Sequence, residues 1–341
     1  MIDDSFRSGA LTNMPKTSTR IIGATLAALA VATVAASAQD WPARPVTMVV
    51  PFAAGGPIDV VGRIITPRMS ELLGQQLVVD NVPGAGGMVG ASRVSKAPPD
   101  GYTILLGNQG SHTYNQFIYK NPLYNPVTAF APGSVVVSNT KVLVVRKDLP
   151  VNTLAEFVAY AKANEAKMSY GSAGGGSATH IACVLLNAKM GTSITHVPYR
   201  GAGPAMQDLM AGRIDFMCDI VSTALPQIQG NTVKPLATMS TVRAAVLPDL
   251  PTALEQGLVG VDADGWNAFF FPRGTPDAII ARVNAATAAT LDTPVVRRRI
   301  EDLGLFVPKA DERGSDFLAK LVVSELDKWG PPIKAAGVSA D

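Results

Sequence analysis

The sequence predicts an α/β protein of two lobes, each a mostly parallel sheet flanked by helices, with a ligand cleft between them. Three observations lead there. Short apolar, β-branched runs alternate with stretches of helical periodicity, the pattern of parallel sheets covered on both faces. Two glycine-rich turns, Pro51-Phe52-Ala53-Ala54-Gly55-Gly56-Pro57-Ile58-Asp59 and Gly171-Ser172-Ala173-Gly174-Gly175-Gly176-Ser177, each join a strand to a helix. They belong to different halves of the chain, and both lie at the carboxyl ends of their strands, where open α/β sheets bind ligands.

The elements follow in order. Residues 46–52 read as a strand and 58–73 as an amphipathic helix with Asp59 in its first turn. Strands are expected at 76–82, 103–106, 135–139 and 142–146. Residues 153–163 are helical, with Thr153 as cap and Glu156 three positions on, a capping-box pattern. The strand at 168–172 runs into the second glycine turn and a helix over 177–190. Strand 195–198, helix 204–211 and strand 214–218 complete a further unit. Strands at 234–239 and 266–271 and helices at 276–291 and 314–328 close the chain.

The 341 residues are 47% apolar and 16% charged, enough for a large core divided between two domains. The net charge of +2 comes without a basic or acidic block, so no nucleic-acid partner is expected. Residues 1–38 read as a secretory signal peptide. The uncharged run 21–36 follows Lys16 and Arg20 and ends in the small-x-small triplet Ala36-Ser37-Ala38. That run is shorter than the roughly 20 residues of a spanning helix. Cleavage near Ala38 would deliver the mature chain to the periplasm. Asp3 and Asp4 are unusual in such a leader, so translation from Met14 is the alternative to Met1. The expected lobes are 39–141 with 268–341, and 142–267. In an oxidising compartment Cys183 and Cys218 allow either a disulfide or two buried thiols.

The glycine turns carry the binding chemistry. Each presents backbone amides at a helix N-terminus, where the helix dipole favours an anion and glycine lets the ligand approach. The first is read as a carboxylate cradle formed by Phe52, Ala53, Ala54, Gly55, Gly56, Pro57 and Ile58. Asp59 is structural, because its charge would repel an anion unless its side chain turns back onto the loop amides. The second contributes Ser172, Ala173, Gly174, Gly175, Gly176, Ser177 and Thr179, with Ser177 as the N-cap. Four glycines within six residues cost much chain entropy unless a close backbone approach matters. His180 is expected to be packed rather than a ligand. Asn108, followed by Gln109, Gly110 and Ser111, supplies uncharged donors at the same cleft edge.

Other chemistries lack their residues. The nucleophile elbow G-x-S-x-G is absent, since Gly171 directly precedes Ser172, and a Ser177–His180 pair has no orienting acid. Gly84-Ala85-Gly86-Gly87-Met88-Val89-Gly90 departs from the dinucleotide fingerprint at Val89, and no glycine run is followed by a Walker lysine. His112, His180 and His196 are scattered, without metal-ligand spacing. No catalytic residue, cofactor or metal is expected.

With these residues placed, the mature chain resembles the Bug family, the periplasmic substrate-binding proteins of tripartite tricarboxylate transporters. The matching stretches are Trp41-Pro42-x-Arg44-Pro45, Pro51-Phe52-x-x-Gly55-Gly56-x-x-Asp59 with Arg63, Asn81-x-Pro83-Gly84-Ala85-Gly86-Gly87 and Pro99-Asp100-Gly101-Tyr102-Thr103. Then come Tyr170-Gly171-Ser172-x-Gly174-x-Gly176-Ser177-x-x-His180, His196-Val197-Pro198-Tyr199-x-Gly201, and Leu247-Pro248-x-x-Pro251-Thr252 with Glu255 and Gly257. The resemblance implies a two-lobed venus-flytrap fold whose pincer loops, 52–58 and 172–177 with Thr179, hold a ligand carboxylate. It also implies that Asp219 sits where it can face the ligand's other end. Val184 departs from the acidic residue that many relatives carry there. The implied ligand is a monocarboxylate, dicarboxylate, amino acid or aromatic acid. The implied partner is a set of membrane transporter subunits or a sensor, and the expected state is a monomer.

Overall fold

Val46–Val50 (β1), rich in β-branched residues, is almost wholly buried, as a strand covered on both faces should be. It leads into Pro57–Leu73 (α1), whose first position is a proline already set for helical φ. Leu77–Asn81 (β2), Met88–Ser95 (α2) and Thr103–Asn108 (β3) follow, and β1 pairs in parallel with both β2 and β3. A π-helical turn at Gly110–Tyr114 and the short helix Asn115–Ile118 (α3) continue from β3. The computed structural model describes residues 41–339, and the chain from Arg44 onward forms one compact unit. The expected signal peptide and the alternative start at Met14 lie outside the described residues.

Phe130–Asn139 (β4) leaves the first sheet, and Lys141–Arg146 (β5) enters the second after the single residue Thr140. There the chain builds Leu154–Asn164 (α4), Ser169–Ser172 (β6), Ala178–Met190 (α5), Thr195–Pro198 (β7), Ala202–Met210 (α6), Phe216–Ile220 (β8), Val221–Gln229 (α7) and Val233–Thr238 (β9). Thr153 and Glu156 form the expected capping box at the start of α4. Gly265–Pro272 (β10) returns to the first sheet, followed by Asp277–Asp292 (α8), Pro294–Glu301 (α9), Leu305–Phe306 (β11) and Ser315–Ala335 (α10).

The strand orders are β11-β4-β10-β3-β1-β2 and β7-β6-β8-β5-β9. The units β1–β2–β3 and β6–β7–β8 are parallel, as the alternation predicted. Every antiparallel pair involves β4, β5 or β10, the strands at which the chain passes between sheets, so both sheets are mixed.

Each half has its own core. In the second, Phe157 and Phe216 meet edge to face at 5.1 Å, both fully buried, each side chain contributing about 1.5–3 kcal/mol. The same core holds Cys183 of α5 and Cys218 of β8, which are joined in a disulfide. In the first, Leu318 and Val322 of α10 pack with Val49 and Phe270. Helix α10 continues seven residues past the expected end at 328, through Pro331 and Pro332. Its last turns are held by burial: Trp329 and Ile333 pack with Tyr114, Ile118, Ala178 and Ile181, residues of both halves. No described helix is long and apolar enough to cross a membrane.

Candidate functional site

The first glycine turn is fixed by Asp59. Its carboxylate accepts from the Gly55 amide at 2.9 Å, from Arg63 Nε at 2.9 Å and from Asn81 Nδ2 at 3.0 Å. Asn81 Nδ2 also donates to the Phe52 carbonyl at 3.0 Å. Burial alone would raise the Asp59 pKa, but the bonds from Arg63, Gly55 and Asn81 and the Arg63 charge hold it below the usual carboxylate range. The side chain thus turns back onto its own loop, and its charge is answered by Arg63. At the start of α1, Pro57 has no N–H, and the amides of Ile58 and Asp59 have no intrahelical acceptor.

The second turn is bonded more densely within itself. Ala173 donates its amide to Thr179 Oγ1 at 2.9 Å, Gly174 to Ser172 Oγ at 3.1 Å, Gly176 to His180 Nδ1 at 3.1 Å, and Ser177 to the Gly174 carbonyl at 3.0 Å. Ser177 is the N-cap, its hydroxyl accepting from the His180 amide at 3.2 Å. The turn therefore spends most of its own amides, and the helix-start amides of Ala178 and Thr179 remain for an anion. This differs from a cradle built of loop amides, and the reason is chemical: Ser172, Thr179 and His180 are acceptors within reach of the loop.

The two turns meet. The Ala53 amide donates to the Arg200 carbonyl at 3.1 Å, and the Tyr119 hydroxyl donates to the Gly175 carbonyl at 2.9 Å. Gly86, at φ +57°, passes so close to Gly175 that a Cβ there would overlap its carbonyl.

Between the halves lies a small cavity. Pro57 and Ile58 from α1, Ala178 and Thr179 from α5, Ala202 from the start of α6 and Ile220 capping α7 line it. Phe52, Asn108, Ala173 and Ser177 complete its wall. Among the described residues no charged side chain lines it. Its electrostatics come instead from helix N-termini, each equivalent to roughly half a positive charge. Asn108 adds a directed donor. Its Oδ1 accepts the Ser111 amide at 3.1 Å, and the Ser111 hydroxyl bonds the Asn108 backbone on both sides, leaving the NH₂ group for the cavity.

Of the residues expected to bind, Phe52, Pro57, Ile58, Asn108, Ala173, Ser177 and Thr179 line this cavity. Ala53, Ala54, Gly55, Gly56 and Gly176 shape the turns without lining it, and Ser172 is fully buried behind it. Gly174 and Gly175 line a second, wider opening with His180 and His196. Asp219 is fully buried, one residue before Ile220, and is not part of the cavity wall. Its Oδ1 accepts the Ile220 amide at 2.8 Å, and burial, partly offset by that bond, pushes its pKa up to about 7. The sequence reading omitted Ala178, Ala202 and Ile220. Gly201, which precedes α6 and approaches Ala53, was the available signal for Ala202.

Residues 61–338 match the tripartite tricarboxylate transporter family receptor. A protein of Agrobacterium vitis described as "UPF0065 protein in the TAR-I ttuE-ttuC' intergenic region" is 38% identical over 318 residues, covering 93% of this chain and 92% of that protein. The periplasmic binding protein BugD superposes with a TM-score of 0.85 at 38% identity, covering 88% of this chain and 99% of BugD. MatC of Rhodopseudomonas palustris, solved with bound malate, gives 0.84 at 39% identity, covering 86% of this chain and all of MatC. The two solved relatives share the fold, and all three match most of the chain's length. The chain belongs to the tripartite tricarboxylate transporter receptor family, the solute-binding proteins to which Bug proteins are assigned.

Proposed function

We propose that this is a periplasmic solute-binding protein that captures a small organic acid by its carboxylate and hands it to a tripartite tricarboxylate-type transporter. One observation carries the reading: the starts of four helices converge on a cavity whose wall holds no charged side chain. Such a wall favours an anion by backbone dipoles, without an arginine. The donors available are the amides of Ile58, Ala178 and Thr179, one hydroxyl of the Ser177–Thr179 pair, which bond each other at 3.1 Å, and the Asn108 carboxamide. A hydrogen bond to a charged group contributes about 1.5–3 kcal/mol, so four or five of them, less ordering and desolvation, reach about −8 kcal/mol, a micromolar dissociation constant. The apolar side chains of Phe52, Ile58 and Ile220 accommodate a short carbon body. MatC, a relative with malate bound, supports an acid of this size.

In this reading residues 39–141 with 268–341 and residues 142–267 are the jaws, and they close over the acid by rotation at the passages between the sheets. The exported mature form acts in the periplasm, as the signal-like segment implies. Turnover is not part of this reading: the serine–imidazole contact at the second turn, Ser172 with His196, has its serine fully buried and neither residue on the cavity wall.

The test is calorimetric titration with L-malate and a panel of mono- and dicarboxylates, beside their methyl esters. At least one free acid should bind at micromolar strength, and its fully esterified form at least about a hundredfold more weakly. Equal binding of acid and ester, or chromatographic detection of a product, would overturn the proposal.

A further inference from the structure

His180 and His196 stand behind the second glycine turn, on α5 and β7, and neither lines the ligand cavity. They nevertheless touch the turn at two points. The Gly176 amide donates to His180 Nδ1 at 3.1 Å, while the His180 amide donates to Ser177 Oγ at 3.2 Å. This is a reciprocal cap in which an imidazole takes the place of the glutamate of a capping box. Gly176 has φ +79°, and a Cβ there would strike Asn115, so no side chain can stiffen the backbone at that residue. The imidazole supplies the restraint from outside.

His196 secures the other end. Its Nε2 lies 2.6 Å from Ser172 Oγ, which accepts the Gly174 amide at 3.1 Å. The two imidazoles stack at 4.0 Å between ring centres, and Tyr170 stacks on His196 at 4.9 Å. Because Nδ1 of His180 accepts a backbone N–H, that ring must be neutral and carry its proton on Nε2.

We infer that His180, backed by the stacked His196, is a positioning residue of the carboxylate site: it holds the turn at Gly176 so that the Ala178 and Thr179 amides face the cavity. The inference rests on the carboxylate reading above for its functional consequence. Its structural content stands apart from that reading and is tested separately.

Three measurements decide it. Nitrogen NMR of the wild-type protein at pH 7 should show His180 neutral and protonated on Nε2; a proton on Nδ1 overturns the assignment even if every variant unfolds. Amide exchange in the ligand-free protein should speed at least about tenfold over 174–179 in His180→Leu, with the β-strands unchanged. His180→Asn, whose Oδ1 takes the place of Nδ1, should restore protection to within about threefold. Unchanged exchange in His180→Leu, or equal loss in both variants, sinks the proposal. L-malate affinity is then read on the same proteins: a fall of about tenfold in Leu with recovery in Asn is expected. If wild type binds no carboxylate, the carboxylate reading fails while the exchange and NMR outcomes still judge the restraint.

Discussion

The Ala53 amide donates to the Arg200 carbonyl at 3.1 Å, a backbone bond between the first glycine turn and the residues that open α6. Beside it the Tyr119 hydroxyl bonds the Gly175 carbonyl at 2.9 Å. Both bonds join one sheet's loops to the other's, so the structure holds its halves together with polar groups, three of the four from the backbone, that any ligand-free opening must expose to water.

Tyr119→Phe removes one of these bonds and leaves the ring in place. The loss of about 1 kcal/mol from the closed arrangement should weaken carboxylate binding about fivefold. Stopped-flow dissociation should show the change mainly as faster release.

Gly86→Ala tests the contact from the other side. The added Cβ would collide with the Gly175 carbonyl, and the +57° φ adds a strain of about 1 kcal/mol for an L residue. The halves should then stop short of full approach, giving a larger radius of gyration by X-ray scattering with ligand and an affinity at least about tenfold lower.

Reduction tests the link between α5 and β8. The disulfide closes a sequence separation of 35 residues in the second core. Cys183→Ala with Cys218→Ala should lower unfolding free energy by about 2–4 kcal/mol in urea. Dithiothreitol should lower the melting temperature of wild type and leave that of the double variant unchanged.

The buried histidines set an acid limit. Burial pushes His112 and His180 down to about 3, the latter helped by His196, and His196 down to about 4, all from an ordinary 6.5. The unfolded chain binds protons there that the folded chain refuses. Stability therefore falls as pH drops below about 6.5, by up to about 1.4 kcal/mol per unit for each histidine. Asp219, raised to about 7 by burial, opposes this: the folded chain keeps a proton that the unfolded chain releases above 3.8. Three losses against one gain, with His196 already half charged in the folded chain near pH 4, leave a net decline of about 2 kcal/mol per unit between pH 6 and 4. Urea midpoints at pH 7, 6, 5 and 4.5 measure it; a flat profile refutes the assignment of neutral histidines.

Periodicity and glycine placement made much of this legible. Residues 46–50 and 57–73 follow from β-branched alternation and a proline-led amphipathic run, and Ser177 was recognisable as a cap from its place before an apolar helix. What escaped depends on distance in the chain. Ala202 had only its neighbour Gly201 as a signal and Ile220 had none; the meeting of α6 and α7 with α1 puts both on the cavity wall. The last turns of α10 lie beyond the expected end at 328 and contain Pro331 and Pro332, yet Trp329 and Ile333 are buried deeply enough to keep them helical. Likewise, nothing in the spacing of Gly176 and His180 says that one would bond the other.

That same helix gives the molecule an optical gauge. Trp329 meets Tyr114 edge to face at 5.3 Å, donates through Nε1 to Glu325 at 3.0 Å, and shares its apolar surroundings with Ala178 and Ile181 at the head of α5. An indole seated where the halves touch would change its emission if they part, so this chain carries its own fluorophore for testing the proposed closure, and no dye need be attached.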